Sequence, residues 1–299
     1  MGDMIVAIAG TPQGARLALA LALLSAVAHA AFGAIQKGRH DPWLTRGAVD
    51  GWIALIALPV ALFAVPWPRG WDWGFLIGAV AIHFVYKLLV AMAYQRAAYT
   101  VVYPVVRGTG PAVTILFAWL VFGEAFSARQ WAGVALVSGA ILSLALVNMR
   151  RVSPDPRALG EGLALAFLGG VMVAAYTTWD ALGIRHAADP FTFLAWFFLL
   201  GSLDFPLIAL RRWRRLAARP SAPALMLRGL VGALFAFVSF GGVMLATRLD
   251  KVGEAAVLRE TSTVFAALIG WLVLREQVGL LRAVLMVAIA AGAVVVEFG

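Results

Sequence analysis

Ten apolar runs, each close to the roughly 20 residues a helix needs to cross a bilayer core, take up almost the whole chain. They lie at 15–36, 47–65, 73–94, 100–122, 128–148, 159–182, 191–210, 224–247, 253–274 and 279–298. Inside hydrocarbon the backbone has no water to bond, so runs of this length must satisfy their own amides as helices. Most separators are short and carry turn chemistry: Asp41-Pro42, the stretch from Pro66 to Gly70, Asp155-Pro156, Asp189-Pro190, and Pro220 to Pro223. The weakest boundary is 95–99, which is barely polar. The expected fold class is all-α and integral to the membrane, with ten transmembrane helices. Only 13% of the residues are charged, about half the share in a soluble domain, and no polar segment is long enough for a separate catalytic domain. Trp67, Trp71 and Trp73 are expected at a membrane interface. Residues 1–13 form a short tail without the basic start of a signal peptide.

One stretch occurs twice. Residues 91–124 superimpose without a gap on 243–276 at an offset of 152, with 10 of 34 positions identical. Arg96 falls on Arg248, Arg107 on Arg259, Thr109 on Thr261, Trp119 on Trp271 and Glu124 on Glu276. Charges are scarce here, and an arginine inside an apolar run is expensive, so the matched arginines are the leading functional clue. The halves are offset by five spans, an odd number. The second half then enters the membrane from the opposite side, giving two inverted five-helix repeats at 1–150 and 151–299. That architecture is associated with secondary transporters whose site lies at the midplane between repeats. With both halves in one chain, a monomer suffices.

The net charge of +9 reads as a topology signal, because the basic residues lie mostly in loops; no nucleic-acid partner is expected. Six lysines and arginines fall on the N-terminal side and fifteen on the other, which places the 211–219 loop in the cytoplasm and both termini outside. There is no cysteine, which excludes disulfides and thiolate metal sites. No metal, cofactor or catalytic residue is expected. The chain has no HExxH, no DDxxD and no G-x-x-x-x-G-K-[ST] stretch.

The fourth run carries Gly108, Gly110 and Pro111 in its first half and is expected to break there. Arg107 lies about 12 Å in, at ~1.5 Å per residue from Tyr99. Arg259 comes to a similar depth from the other face, so the two are expected to approach near the pseudo-two-fold axis. Arginine stays protonated and can grip a carboxylate with both arms of its fork. Glu260 has glycine as its counterpart; it suits a substrate ammonium, a coupling proton or an arginine partner. His83 and Lys87 share a helix face and, with Tyr86, Tyr99 and Tyr103, complete the candidate binding set. Asp204 is expected to pair with Lys87 or to serve coupling. The Tyr176–Asp180 stretch reads as an interface, and His29 as a core histidine. Glu124 and Glu276 read as fasteners of helix hairpins, with Ser127 and Gln130 as a capping box.

Pro104-Val105, a span ending in Gly123-Glu124, and Gly133 and Gly139 in the next span resemble the ten-span branch of the drug/metabolite transporter superfamily, the EamA-like exporters. In the second half Ala256-Val257 and Arg275-Glu276 depart from that pattern. Within the superfamily the chain looks most like YddG-type exporters of aromatic amino acids. The resemblance implies a bacterial cytoplasmic membrane, a cavity lined by spans three, four, eight and nine, hairpins that rock to alternate access, and cytoplasmic termini. The last conflicts with the charge count. The expected function is secondary or facilitative export of small amphipathic metabolites, above all aromatic or other apolar amino acids. The alternatives are an organic-anion transporter and, more remotely, a membrane enzyme acting on lipid head groups.

Overall fold

Each Asp-Pro step in the sequence starts a helix. Asp41 accepts from the amides of Trp43 (2.9 Å) and Leu44 (3.4 Å), Asp155 from Arg157 (3.0 Å) and Asp189 from Phe191 (3.1 Å). The aspartate bonds amides that the first turn leaves without partners, and the proline behind it has none to lose. The computed structural model describes residues 2–36, 41–149, 155–216, 219–272 and 279–299. Arg275 and Glu276 lie outside them.

The helices are α1 (Gly2–Ile8), α2 (Pro12–Gln36), α3 (Pro42–Pro59), α4 (Trp71–Arg96), α5 (Tyr99–Phe122), α6 (Ala128–Met149), α7 (Pro156–His186), α8 (Pro190–Gly201), α9 (Asp204–Arg215), α10 (Ala222–Leu249), α11 (Val252–Glu260), α12 (Ser262–Leu272) and α13 (Leu280–Phe298). A π-helical turn, Val60–Ala64, extends α3. Among the described residues there is no strand, and nine helical stretches are long and apolar enough to cross a membrane. The run expected at 253–274 is not one of them: its described part is two shorter helices, α11 and α12, which meet at a turn on Thr261, and 273–274 lie outside the described residues.

The break expected in the fourth run is absent. α5 continues through Pro104 and Pro111. Proline 104 deprives the Thr100 carbonyl of its helical donor, and the Asn148 side-chain amide replaces it at 2.8 Å. Gly108 and Gly110 serve packing. A Cβ on Gly108 would stand 2.8 Å from Leu142, and one on Gly110 would stand 3.2 Å from Val173. The interruption falls instead on the second copy, which has no proline. There the Thr261 hydroxyl donates to the Leu258 carbonyl at 2.6 Å and the Thr261 amide reaches the same carbonyl at 3.1 Å, tightening one turn. The seventh run is also interrupted, between α8 and α9, which the sequence does not announce.

α2 packs along α10, α4 along α7, and α5 against both α6 and α7. α6 meets α13 through glycines: a Cβ on either Gly133 or Gly292 would stand 2.8 Å from the other's carbonyl oxygen. Gly139 faces open space. α8 sits deepest, with all residues from Thr192 to Leu199 buried. Of the three tryptophans expected at an interface, Trp67 and Trp71 are exposed. Trp73 turns inward, its ring 5.1 Å from Trp196.

Candidate functional site

Arg107 on α5 and Arg259 and Glu260 at the end of α11 are buried together, 4%, 4% and 3% exposed. The pairing of copies at an offset of 152 carries the arginines toward each other, and both act electrostatically on Glu260. Their engagements differ. Arg107 Nε stands 2.9 Å from Glu260 Oε2, and its Nη2 donates to Ser262 Oγ at 3.1 Å. That ionic contact is off-line, so neither Arg107 Nε nor Glu260 Oε2 has a hydrogen bond. Arg259 has less. Its Nη2 lies 3.5 Å from His29 Nδ1, its guanidinium 4.8 Å from the centre of the Phe240 ring, and its Nε has no partner. Two buried arginines face one glutamate, and the surplus positive charge resides on Arg259.

His83 on α4 lies beside this cluster. Its Nε2 is 2.8 Å from Asp180 Oδ2 on α7, and its ring stacks on Tyr176 with centres 4.3 Å apart. Tyr86 meets the edge of the same tyrosine at 5.2 Å. Tyr103 is also near the arginines. Asp180 and Tyr176 are therefore not interfacial: α7 runs past them to His186, and they are 5% and 4% exposed. Asp180 Oδ1 and Thr178 Oγ1 are buried without partners.

Lys87 belongs to a different cluster. Its ammonium donates to Asp204 Oδ1 (3.0 Å), to the Gly201 carbonyl (2.9 Å) and, at 3.5 Å, to Asp50. Arg46 completes the group at 3.0 Å from Asp50. The expected pairing of Lys87 with Asp204 is present, at the break between α8 and α9. This lysine holds together a broken helix and a fully buried aspartate, and it stands apart from the arginines.

Two cavities share Phe240 as a wall residue, with about 470 and 290 Å³ of empty space when their open mouths are counted. The first lies among α3, α4, α8 and α10 and is lined by Arg46, His83, Lys87, Phe197, Phe198 and Phe240, among others. The second lies among α7, α10 and α11 and is lined by Tyr176, Thr177, Asp180, Thr247, Arg259 and Phe240, with Val243 and Met244. One turn beyond the second, a latch joins three helix ends. Arg185 donates to the carbonyls of Thr247 (2.8 Å) and Asp250 (2.7 Å) and lies 3.5 Å from Glu124. Glu124 in turn accepts from the amides of Val252 (2.7 Å) and Gly253 (3.1 Å), the first turn of α11. It follows Gly123, which closes α5 in the left-handed conformation (φ 66°) that glycine adopts without strain. Glu124 thus fastens its hairpin to the α10–α11 link. The start of α6 is held separately by the reciprocal bonds of Ser127 and Gln130, 3.0 and 3.1 Å. The Gly10 amide bonds the Leu249 carbonyl at 2.9 Å, and Ser127 bonds the carbonyl of Gly299 at 3.2 Å, so both ends of the chain lie at this same face.

Of the eight residues expected to bind substrate, Arg107, Arg259, Glu260, His83, Tyr86 and Tyr103 come together. Lys87 lines only the first cavity, and the side chain of Tyr99 lies outside the described residues. From the sequence, Tyr176 and Asp180 read as interfacial and His29 as a core histidine; Asp50 and Phe240 are not singled out. Two signals for them were in the chain: Asp50 is an acid inside an apolar run, and Tyr176 and Asp180 are four apart on one helix face.

Comparison with known proteins agrees with this architecture. A solved structure described as "Crystal structure of protein" superimposes with a TM-score of 0.75 at 16% identity, covering 95% of this chain and 96% of its own; at that identity it speaks for the fold alone. "Uncharacterized protein y4nH" of Sinorhizobium fredii is 38% identical over 69 residues, 23% of this chain and 59% of that protein. The model of the EamA-like transporter family matches twice, at residues 16–146 and 160–298. The chain belongs to the EamA-like transporter family, membrane transporters of small molecules.

Proposed function

We propose that this chain is a secondary or facilitative transporter, without enzymatic activity, that exports small amphipathic metabolites, above all aromatic or other apolar amino acids, across a bacterial cytoplasmic membrane. Access alternates at a midplane site between two inverted five-helix repeats, 1–150 and 151–299, within a monomer. α11 and α12 together act as the ninth of the ten spans in this reading. The double family match and the corresponding antiparallel pairings of α2 with α10 and of α4 with α7 support it. The latch of Glu124, Arg185 and Asp250 supports alternation, since opening that face requires three helix ends to part.

The observation that carries the substrate class is the second cavity. Arg259 Nε, a donor, and Asp180 Oδ1, an acceptor, are both without partners, and both residues line one small space. Buried polar groups are normally bonded. A zwitterion offers a carboxylate to the first and an ammonium to the second, with Tyr176 as an aromatic wall.

The test is flux into liposomes holding the purified protein, with labelled phenylalanine, threonine and a dicarboxylate, with and without a pH gradient. Saturable amino-acid flux is expected. Flux of the dicarboxylate alone replaces this reading with organic-anion transport, which the surplus charge of Arg259 favours. Lipid turnover in detergent without flux supports the enzyme reading.

A further inference from the structure

The two cavities offer a ligand different things. In the first, each ionisable group is engaged: Arg46 with Asp50, Lys87 with Asp204 and the Gly201 carbonyl, His83 with Asp180. Apart from Ser202, what remains of its wall is apolar, with Ile53, Val80, Phe197, Phe198 and Ala236. That surface holds hydrocarbon or rings and no charge. In the second, Arg259 and Asp180 each keep a polar atom open. One space fits a side chain and the other a charged head.

Phe240 lines both. It is half-buried on α10, its edge toward His29 (6.0 Å, 82°) and Phe32 (6.4 Å, 83°), with the Arg259 guanidinium over its face. On its own helix its same-face neighbours are Ala236, Phe237, Val243 and Met244, the last two in the same cavity wall. A Cβ on Gly241 would meet only Phe198, at an ordinary 3.7 Å. On the opposite side, the bond between His83, in the first cavity, and Asp180, in the second, completes the partition.

We infer that Phe240 is the residue that sets which side chain the transporter accepts. Its ring divides the head cavity from the side-chain cavity. When it turns aside, the substrate's side chain lies against Phe197 and Phe198 while its charged head stays on Arg259 and Asp180. This rests on the amino-acid reading above. A smaller residue at 240 merges the cavities and favours large substrates; a larger one closes the passage and favours small ones. Differences of one or two methylenes in an apolar pocket shift preference by about tenfold, and a ring-sized change should reach at least that.

The experiment is competitive flux of tryptophan and alanine into liposomes, comparing their kcat/KM values in the wild type, Phe240→Ala, Phe240→Leu and Phe240→Trp. Phe63→Ala serves as a control on the lipid-facing surface, where Phe63 is 85% exposed. The tryptophan-to-alanine ratio is expected to rise about tenfold in Phe240→Ala, less in Phe240→Leu, and to fall in Phe240→Trp. If Phe240→Ala fails to fold, the Leu and Trp variants decide. Wild-type amino-acid flux with a ratio unmoved by these variants overturns the role of Phe240 and leaves the amino-acid reading standing. A wild type that moves neither amino acid overturns both.

Discussion

Two groups of charges sit inside this bundle, each beside an interrupted helix, and only one leaves a charge over. At the α8–α9 break, Arg46 and Lys87 face Asp50 and Asp204, two against two, and the freed Gly201 carbonyl takes a further Lys87 donor. At the α11–α12 turn, Arg107 and Arg259 face Glu260. Both groups bear the cost of removing ions from water. The first recovers it by pairing two cations with two anions, so no charge is left over for a ligand, although Asp50 Oδ1, like Glu260 Oε2, meets its arginine only in an off-line ionic contact. The second keeps Arg259 Nε and, across a cavity, Asp180 Oδ1 open. A fully paired group is a fastening; a buried surplus implies a partner that arrives from outside. Depth in the membrane does not separate the two kinds, whereas the pattern of partners does.

The largest expected effect tests the fastening. Lys87→Met strips Asp204 of its cation, and breaking one side of a buried pair costs about 3–5 kcal/mol. Denaturation in detergent should show that loss. The double variant Lys87→Met/Asp204→Leu should recover most of it, since replacing a whole buried pair by apolar groups is close to neutral. A double variant as unstable as the single one would mean that Lys87 acts through Gly201 or Asp50 instead.

Next comes the open cluster. Arg259→Ala should lower amino-acid flux roughly 100-fold, in line with the 2–5 kcal/mol for truncating a buried, charge-assisted contact, with little change in thermal stability because few protein partners are lost. Arg259→Lys should restore part of the flux, as a point charge lacks the fork. Full flux in Arg259→Ala would erase the contrast between the two clusters.

How legible was this contrast in the sequence? The helices were, because apolar length and the three Asp-Pro caps are local signals. The arginines were, because a charge in an apolar run stands out and recurs at a fixed offset. What was not legible is how the side chains are used. Gly108, Gly110 and Pro111 point to a break in α5, yet the helix continues through them, and earlier in it Asn148 of α6 supplies the donor that Pro104 removes. Thr261 gives no warning, yet the turn falls there. Lys87 reads both as a substrate residue and as a partner of Asp204, and it takes Asp50, from a third helix, to show it as a fastening. Phe240 is one of 18 phenylalanines, and only its place between two cavities distinguishes it. Partners supplied by distant elements cannot be read from spacing along one element.

A smaller effect sharpens the contrast at the latch. Glu124→Gln keeps the shape but weakens the cap on α11 and the attraction to Arg185. A lost helix cap costs about 0.5–2 kcal/mol, and the neutral amide still accepts one bond, so about 1 kcal/mol is expected. If the latch closes one face, the same variant should speed exchange in liposomes while leaving KM unchanged. Slower exchange with lower stability would make Glu124 a fastener alone.

The smallest effect concerns the proline that failed to break its helix. Asn148 is at the exposed end of α6, and its bond to the Thr100 carbonyl matters only because Pro104 offers no amide. Asn148→Ala should cost about 1 kcal/mol, the worth of one hydrogen bond. In a Pro104→Ala background, residue 104 can donate to Thr100 itself, so there the same substitution should cost almost nothing. Denaturation of the four proteins gives that coupling directly. An equal loss in both backgrounds would mean that Asn148 holds α5 by packing, and that the continuity of α5 through Pro104 rests on its neighbours α6 and α7 rather than on one replaced bond.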